Sequence, residues 1–389
     1  MGGRDQICDV AIAGGGPAGS SLAIRLARAG LDVILIEKET FPRGKLCGEF
    51  ISPECLEYFD ELGILPSMRL AGGIDVRRTV FYSRGGRPLE IPSDWFGTKH
   101  SMAMGLTRAE MDFHLLSEAK RAGAEVLQNT KVIRLAKTAD AVTGIVTKAA
   151  DGTETTITAR LFVDATGRQQ ALARMLGERL PKATSVAFKA HVAGSLVPAD
   201  DCEIYSYTGG YGGCSPVENG LHNLCFITNA AGAKQASGDP EKVFRNKVLA
   251  NRRAAEVLDS CQIAGPWHAV PITRYGRTKL VLADGVISVG DAAAFIDPFT
   301  GSGILLALQS AKVAASAIVE GLFARRDGFA AFAADYERRY AASLAARMRI
   351  SSAIRNITRW SWVADAVIFA LSQSSILRRQ LARATRSTS

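Results

Sequence analysis

Gly14-Gly15-Gly16-Pro17-Ala18-Gly19 decides the fold of this 389-residue chain. A short apolar run, Cys8 to Ala13, precedes it and reads as a buried strand. Pro17 to Ala29 follows and reads as a helix, with Pro17 suited to the first turn and Gly30 as a stop. Leu31 to Ile36 is a second strand, ending at Glu37. The glycines at 14, 16 and 19 therefore form GxGxxG at the first turn of a βαβ unit. There the first glycine makes the tight turn. The second lets backbone approach a pyrophosphate, and the third lets helix pack closely on strand. Exposed N–H groups at the helix start favour the phosphate charge. Glu37 lies 18 residues after Gly19, placed to accept hydrogen bonds from a ribose, with Lys38 beside it. Gly14, Gly16, Pro17, Ala18, Gly19, Glu37 and Lys38 are thus candidate dinucleotide-binding residues.

FAD and NAD share that fingerprint, so a second signal must separate them. Val286 to Val289 reads as a buried strand, followed by Gly290-Asp291-Ala292-Ala293. Asp297-Pro298-Phe299-Thr300-Gly301-Ser302-Gly303 then leads into a long apolar helix, Gly303 to Phe323. An acid after a strand suits the ribityl hydroxyls of a flavin. Small residues at a helix start let backbone N–H groups reach the pyrimidine edge of the ring, where the helix dipole stabilises the reduced form's negative charge.

Between these motifs, Arg108 to Gly123 reads as a helix with Thr107 as N-cap. Glu125 to Ile133, Ala141 to Thr147, Thr155 to Ala159 and Leu161 to Ala165 read as strands. Residues 185–275 alternate apolar and polar positions, which predicts an inserted antiparallel sheet. The fold class is α/β. The expected FAD-binding domain is discontinuous, over 1–70, 106–183 and 276–328. Residues 71–105 and 184–275 form the substrate domain, and 329–389 a basic helical segment.

With these motifs together, the chain resembles the flavoprotein group that contains geranylgeranyl reductases, flavin halogenases and aromatic hydroxylases. The resemblance rests on Gly14–Gly19 with Glu37, Leu106–Asp112, Val163-Asp164-Ala165-Thr166-Gly167, and Gly290-Asp291 with Asp297-Pro298. It implies that Arg108 contacts FAD and that Asp291 serves the ribityl-phosphate region. Gly301 and Gly303 would lie beside the ring, and Asp164, Gly167, Gly290 and Pro298 complete the candidate cofactor set. Within the group, Pro42-Arg43-Gly44-Lys45-Leu46-Cys47-Gly48 resembles the reductase-type loop that sits against the flavin. Lys45 would stabilise anionic reduced flavin. Cys47 would shape the pocket or deliver a proton, and Glu49 is a further acid–base candidate. The alternative for Cys47 is a small packing residue.

The chain departs from the group in two places. Prenyl reductases carry Tyr-x-Trp-x-Phe-Pro, whereas Tyr211 to Pro216 has Gly213 and Ser215 at the Trp and Phe positions. Trp360-Ser361-Trp362-Val363-Ala364 lacks the Ile-Pro of the halogenase motif and reads as core or interface anchors. The function these residues point to is FAD-dependent reduction of a C=C bond in an apolar, lipid-like or polyketide-like small molecule. The alternatives are an O₂-using monooxygenase and an electron-transfer flavoprotein serving a quinone. No second GxGxxG is present, so NAD(P)H would be a transient reductant at the same pocket. The five histidines lack ligand spacing and read as structural, while Glu218 and Asn223 follow the Pro216 loop and are candidates to face the pocket.

Composition narrows the partners. The net charge is +9, yet Arg338 to Ser389 holds ten arginines, no lysine and one acid, Asp365. The rest of the chain is neutral, which excludes a protein basic throughout and, with no recognition motif, a nucleic-acid role. Arginines interleaved with Ile354, Trp360, Phe369 and Leu371 fit either a helical layer on the body or peripheral membrane contact by interfacial helices. The packed layer is favoured. Seven cysteines without CxxC predict a reduced, cytoplasmic setting, if need be at the inner face of a membrane. Asp5 and Asp9 beside an apolar run broken by glycines argue against a signal peptide, and no transmembrane span is expected.

Overall fold

The first strand, Gln6–Ala13, sits at the centre of a sheet because its apolar residues meet apolar neighbours on both sides. Val10 is registered opposite Val33 of Val33–Ile36 and Leu161 of Glu154–Asp164, all in parallel. This computed structural model describes residues 5–96, 98–138, 141–325, 328–358, 361–374 and 376–380. The sheet runs Val281–Ala283, Val286–Ser288, Glu154–Asp164, Gln6–Ala13, Val33–Ile36, Glu125–Leu127. A parallel sheet buried on both faces needs continuous apolar strands, and Val33–Ile36 is buried throughout.

Two strand boundaries differ from expectation. Glu125 to Ile133 is not one strand: Asn129 adopts a left-handed backbone, φ 51°. The chain turns there, so Glu125–Leu127 pairs with Val33–Ile36 while Thr130–Lys137 pairs antiparallel with Val142–Ala149. Conversely, the two strands expected between Thr155 and Ala165 are one, Glu154–Asp164. Its first half pairs antiparallel with Val142–Ala149 and its second half parallel with Gln6–Ala13.

The second sheet runs Gln262–Ile263, Ser185–Ala193, His222–Asn229, Gly210–Pro216, Asp201–Tyr207, Arg78–Tyr82, Pro88–Pro92. Here the antiparallel expectation needs correcting, because Asp201–Tyr207 pairs parallel with Arg78–Tyr82. That strand arrives from an earlier part of the chain, so no hairpin constrains its direction. Phe188, Phe226, Phe244 and Val257 form a core between this sheet and its short helices.

Gly303–Ala317 continues as a π-helical turn, Ile318–Ala324. By length and composition alone Gly303–Ala324 could cross a membrane. It instead packs between the helices Pro17–Arg28 and Phe329–Thr358, with Leu305, Leu306, Leu308 and Ala311 inaccessible. The apolar composition is that of a core helix. Phe332, Tyr336, Tyr340 and Leu344 bury one stripe of Phe329–Thr358 at helical spacing, and the Tyr336 hydroxyl donates to Ser288 O at 2.7 Å. The arginines of the basic segment are partly spent on this packing. Arg339 pairs with Glu320 at 2.8 Å and Arg347 is buried near Glu54, while Arg338 stays exposed and pairs with Asp335 one turn back. Ser361–Ser372 lies against the edge strand Pro88–Pro92. Arg359, Trp360, Arg383 and Arg386, and the side chain of Trp362, lie outside the described residues.

Candidate functional site

The three fingerprint glycines meet different demands. A Cβ on Gly14 would stand 2.4 Å from Ala165 O, and one on Gly19 would stand 1.9 Å from Gly14 O. Gly14 also needs φ +108°, which L side chains rarely adopt. Gly16 is unlike both: a Cβ there meets nothing within 4 Å, because it faces the open cavity. Glu37 braces this loop. Its Oε2 accepts from Gly15 N at 2.8 Å and its Oε1 from Glu39 N at 3.0 Å, while the side chain still reaches the cavity wall. Lys38 lines the same end and pairs with Glu39 at 3.0 Å.

A cavity of about 2690 Å³ extends from this loop past residues 43–48 to the second sheet. Gly301, at φ +61°, and Gly303 line it at the start of the long helix, and a Cβ on Gly303 again meets nothing within 4 Å. Asp297 holds the preceding turn, accepting from Phe299 N at 3.0 Å and from the Tyr211 hydroxyl at 2.5 Å. Pro17, Ala18, Gly167, Asp291 and Pro298 also line the cavity. Burial raises the Asp291 carboxyl, and the Arg168, Arg108 and Lys45 charges oppose that rise. Open backbone at Gly16 and Gly303, both on the wall of one cavity, fits a long cofactor with a diphosphate and a flat ring. The residues present fit FAD.

Two of the expected cofactor glycines do not face the cavity. Gly19 packs on the Gly14 turn. Gly290 lies against Ala18, where a Cβ would approach the Ala18 Cβ to 2.8 Å, and donates to Ser310 Oγ at 2.8 Å. Both make room for close crossings of strand and helix. Asp164 also needs correcting: it is fully buried behind the wall. Its oxygens accept from Thr166 N at 3.0 Å, Leu172 N at 3.0 Å and Ala173 N at 3.2 Å, so it pins the turn that carries Gly167.

Arg43 to Cys47 forms one side of the cavity. The Arg108 guanidinium donates to Asp112 at 2.9 and 2.7 Å, and Arg43 donates to the same Asp112 at 2.7 Å, while the Cys47 sulfur accepts from Glu49 N at 3.4 Å. Asn223 donates to Cys47 O at 3.1 Å, which fixes the loop from the second sheet. Lys45 lines the cavity among like charges. Enclosure pushes its amine down to about 8, and the Arg108, Arg43, Arg168 and Lys38 charges add to that. Lys45 is therefore expected to be acetylated ahead of surface lysines in flavin-free protein at pH 8, and saturating FAD should protect it. Peptide mass mapping reads this; labelling at the surface rate, with or without FAD, would refute it.

Glu49 is not a wall residue, contrary to the sequence expectation. A positive φ of 54° turns it under the loop, where it is 1% exposed. It pairs there with Lys189, accepts from Arg108 N at 2.8 Å, and contacts His191 Nε2 at 2.7 Å. Burial pushes its carboxyl up. The His191 hydrogen bond, the Lys189 charge and the Arg108 N–H outweigh that and hold it below the ordinary range. Lys189, also 1% exposed, donates to Lys45 O at 3.2 Å and ties the pair to the loop.

Sequence reasoning missed Lys189 and gave Asp112 no role of its own within the Leu106–Asp112 motif, while His191, read as structural, braces Glu49. Lys189 did leave a signal, a lone charge in the apolar strand Ser185–Ala193. His268, read as structural, lines the cavity near Gly44. Glu218 does not line it; its carboxylate takes Thr107 N at 3.0 Å and the Thr107 hydroxyl at 2.5 Å. Thr107 does cap the helix Arg108–Arg121. The far end of the cavity is apolar, walled by Phe81, Ile91, Phe96 and Phe299, with Val367 and Ile368 from the C-terminal helix. The helix contribution left no sequence signal, because it depends on a contact some 280 residues along the chain.

Residues 7–346 match the protein family described as FAD binding domain. The chain is 27% identical to conditioned medium factor receptor 1 of Dictyostelium discoideum over 341 residues, covering 83% of this chain but only 65% of that protein. It is 30% identical to the menaquinone reductase of Mycobacterium tuberculosis over 328 residues, covering 80% and 76% of the two chains. The flavin-dependent brominase Bmp2 shares the fold with a TM-score of 0.83 at 22% identity, over 98% of this chain and 94% of that one.

Proposed function

The chain belongs to the FAD binding domain family and is an FAD-dependent oxidoreductase, and from that premise we propose that it reduces a C=C bond in an apolar, lipid-like or polyketide-like molecule. The observation that carries this reading is the apolar arm of the cavity. It continues from the Lys45–Cys47 loop to Phe81, Ile91, Phe96 and Phe299. Such walls favour an apolar guest and exclude water from the reacting carbon. The menaquinone reductase relative, named for an apolar quinone, supports the same class of substrate.

When bound, FAD supplies the hydride. The protein must then deliver a proton to the second carbon and hold the substrate still. Cys47 is the proposed donor: it lines the cavity, and its sulfur is held in place by Glu49 N at 3.4 Å. Lys45 supplies positive charge at the same wall. Arg43, Asp112 and Asn223 hold the loop that presents both residues. NAD(P)H is proposed as a transient visitor to this cavity.

Product mass decides the reaction. Incubation with NAD(P)H without O₂ is expected to add two hydrogens to the substrate. Strict dependence on O₂ with a gain of one oxygen would replace this reading by hydroxylation. Turnover of a quinone acceptor with no modified carbon skeleton would replace it by electron transfer. Cys47→Ala should lower the rate by about a hundredfold, the usual size of a general-acid contribution, with flavin content unchanged. Parent turnover in that variant would reduce Cys47 to packing.

A further inference from the structure

The helix Ser361–Ser372 has two faces that do different things. Val367, Ile368 and Leu371 line the apolar arm of the cavity. Phe369, on the same helix, is 51% exposed. Just beyond it, Ile376 is 69% and Leu377 51% exposed, beside Arg378 and the exposed Arg379. Large apolar side chains left in water at this density mark a contact surface.

The surroundings of this face are basic. The exposed Arg87 guanidinium sits 4.5 Å from the Phe369 ring centroid, and Arg378 donates to Glu90 O at 3.5 Å. All these groups therefore border one hairpin, Arg78–Tyr82 with Pro88–Pro92. Of the nearby acids, Asp365 pairs with Arg84 at 3.0 Å and Glu90 shares Arg78, at 3.1 Å, with Asp201 at 2.8 Å, while Asp94 is exposed beside Trp95. Phe369, Ile376 and Leu377 are left framed by Arg87, Arg378 and Arg379.

We propose that this face docks on an anionic lipid bilayer and sets the apolar arm beside the phase in which an apolar substrate is dissolved. The chemistry matches on both counts: apolar side chains for the acyl boundary, and unneutralised arginines for lipid phosphates. The proposal rests on the apolar-substrate reading for its purpose, but not for its test.

The test is cosedimentation of the full-length, FAD-loaded protein with vesicles. Equimolar phosphatidylcholine and phosphatidylglycerol is compared with phosphatidylcholine alone. The parent should partition at least about tenfold better onto the anionic vesicles, since each arginine near such a surface contributes roughly fivefold. F369S/I376S/L377S should lose about tenfold or more, and R87Q/R379Q should lose most of the preference for phosphatidylglycerol. Flavin absorbance and circular dichroism should be unchanged in both variants, because every altered side chain is exposed. Absent binding by the parent, equal binding by the apolar variant, or equal binding to both vesicle types would each overturn the proposal. Product mass tests the reaction separately, so docking without C=C reduction would sink the functional reading and leave this one standing.

Discussion

A Gly16→Asp variant is expected to fold like the parent and to purify without flavin. Gly16 has an ordinary φ of −73°, and a Cβ there meets no protein atom within 4 Å. The fold thus makes no demand for glycine at this position. A phosphate does: the backbone must come close, and a carboxylate would stand where the diphosphate charge belongs. Losing two charge-assisted hydrogen bonds at roughly 2 kcal/mol each lowers FAD affinity about a thousandfold, before any repulsion is counted. Gly14→Ala should fail differently. Its Cβ overlaps backbone at 2.4 Å and its φ is +108°, so the variant loses stability as well as flavin. The measurements are absorbance near the flavin bands after FAD titration, and urea unfolding. Gly16→Asp with full flavin content would remove this loop from the cofactor site.

The legible parts of the molecule share one property, which is that they are local. GxGxxG, the strand before it and Glu37 after it lie within a single βαβ unit, so spacing alone conveyed the geometry. The Thr107 cap is local too. The misread parts depend on distant partners. Glu49 looked like an acid–base group because its neighbours in sequence line the cavity. Its true partners, Lys189 and His191, come from a strand some 140 residues later. Asp164 is the exception: the amides that consume its oxygens lie eight and nine residues on, at the start of the helix Ala171–Met175, and an acid after a strand reads the same whether it serves a ligand or a turn. The parallel pairing of Asp201–Tyr207 with Arg78–Tyr82 is again a matter of a distant partner, since alternation predicts a strand but not its neighbour. The basic segment was read correctly as charge and incompletely as structure. Arg347 is buried and Arg339 largely covered, whereas Arg338, Arg349 and Arg379 face outward.

Replacing Lys189 by Met should cost about 3–5 kcal/mol of stability at neutral pH, the range for removing one partner of a buried pair. The shape of the side chain is nearly kept, so the loss is electrostatic. Glu49 would retain His191 and the Arg108 N–H, but its charge would remain buried without the ammonium that compensates it. The double variant Lys189→Met/Glu49→Gln removes that stranded charge and should recover much of the loss, which a purely steric role for Lys189 would not predict. Acid titration gives a second readout. The Glu49 carboxyl sits below its unfolded value of 4.5, so its contribution is fully present above that pH and is lost as pH falls through the lower folded value. Glu49→Gln should therefore flatten the stability profile below about pH 4.5 and leave its shape at higher pH unchanged. The same pair reaches the cavity through Lys189 and Lys45 O, so Lys189→Met should also weaken FAD binding, even though Lys189 lies outside the cavity wall. Denaturant midpoints and FAD titration measure the two effects. Parent-like values in both would make the pair a bystander and leave the loop that carries Lys45 and Cys47 to its Arg43–Asp112 pair and to Asn223.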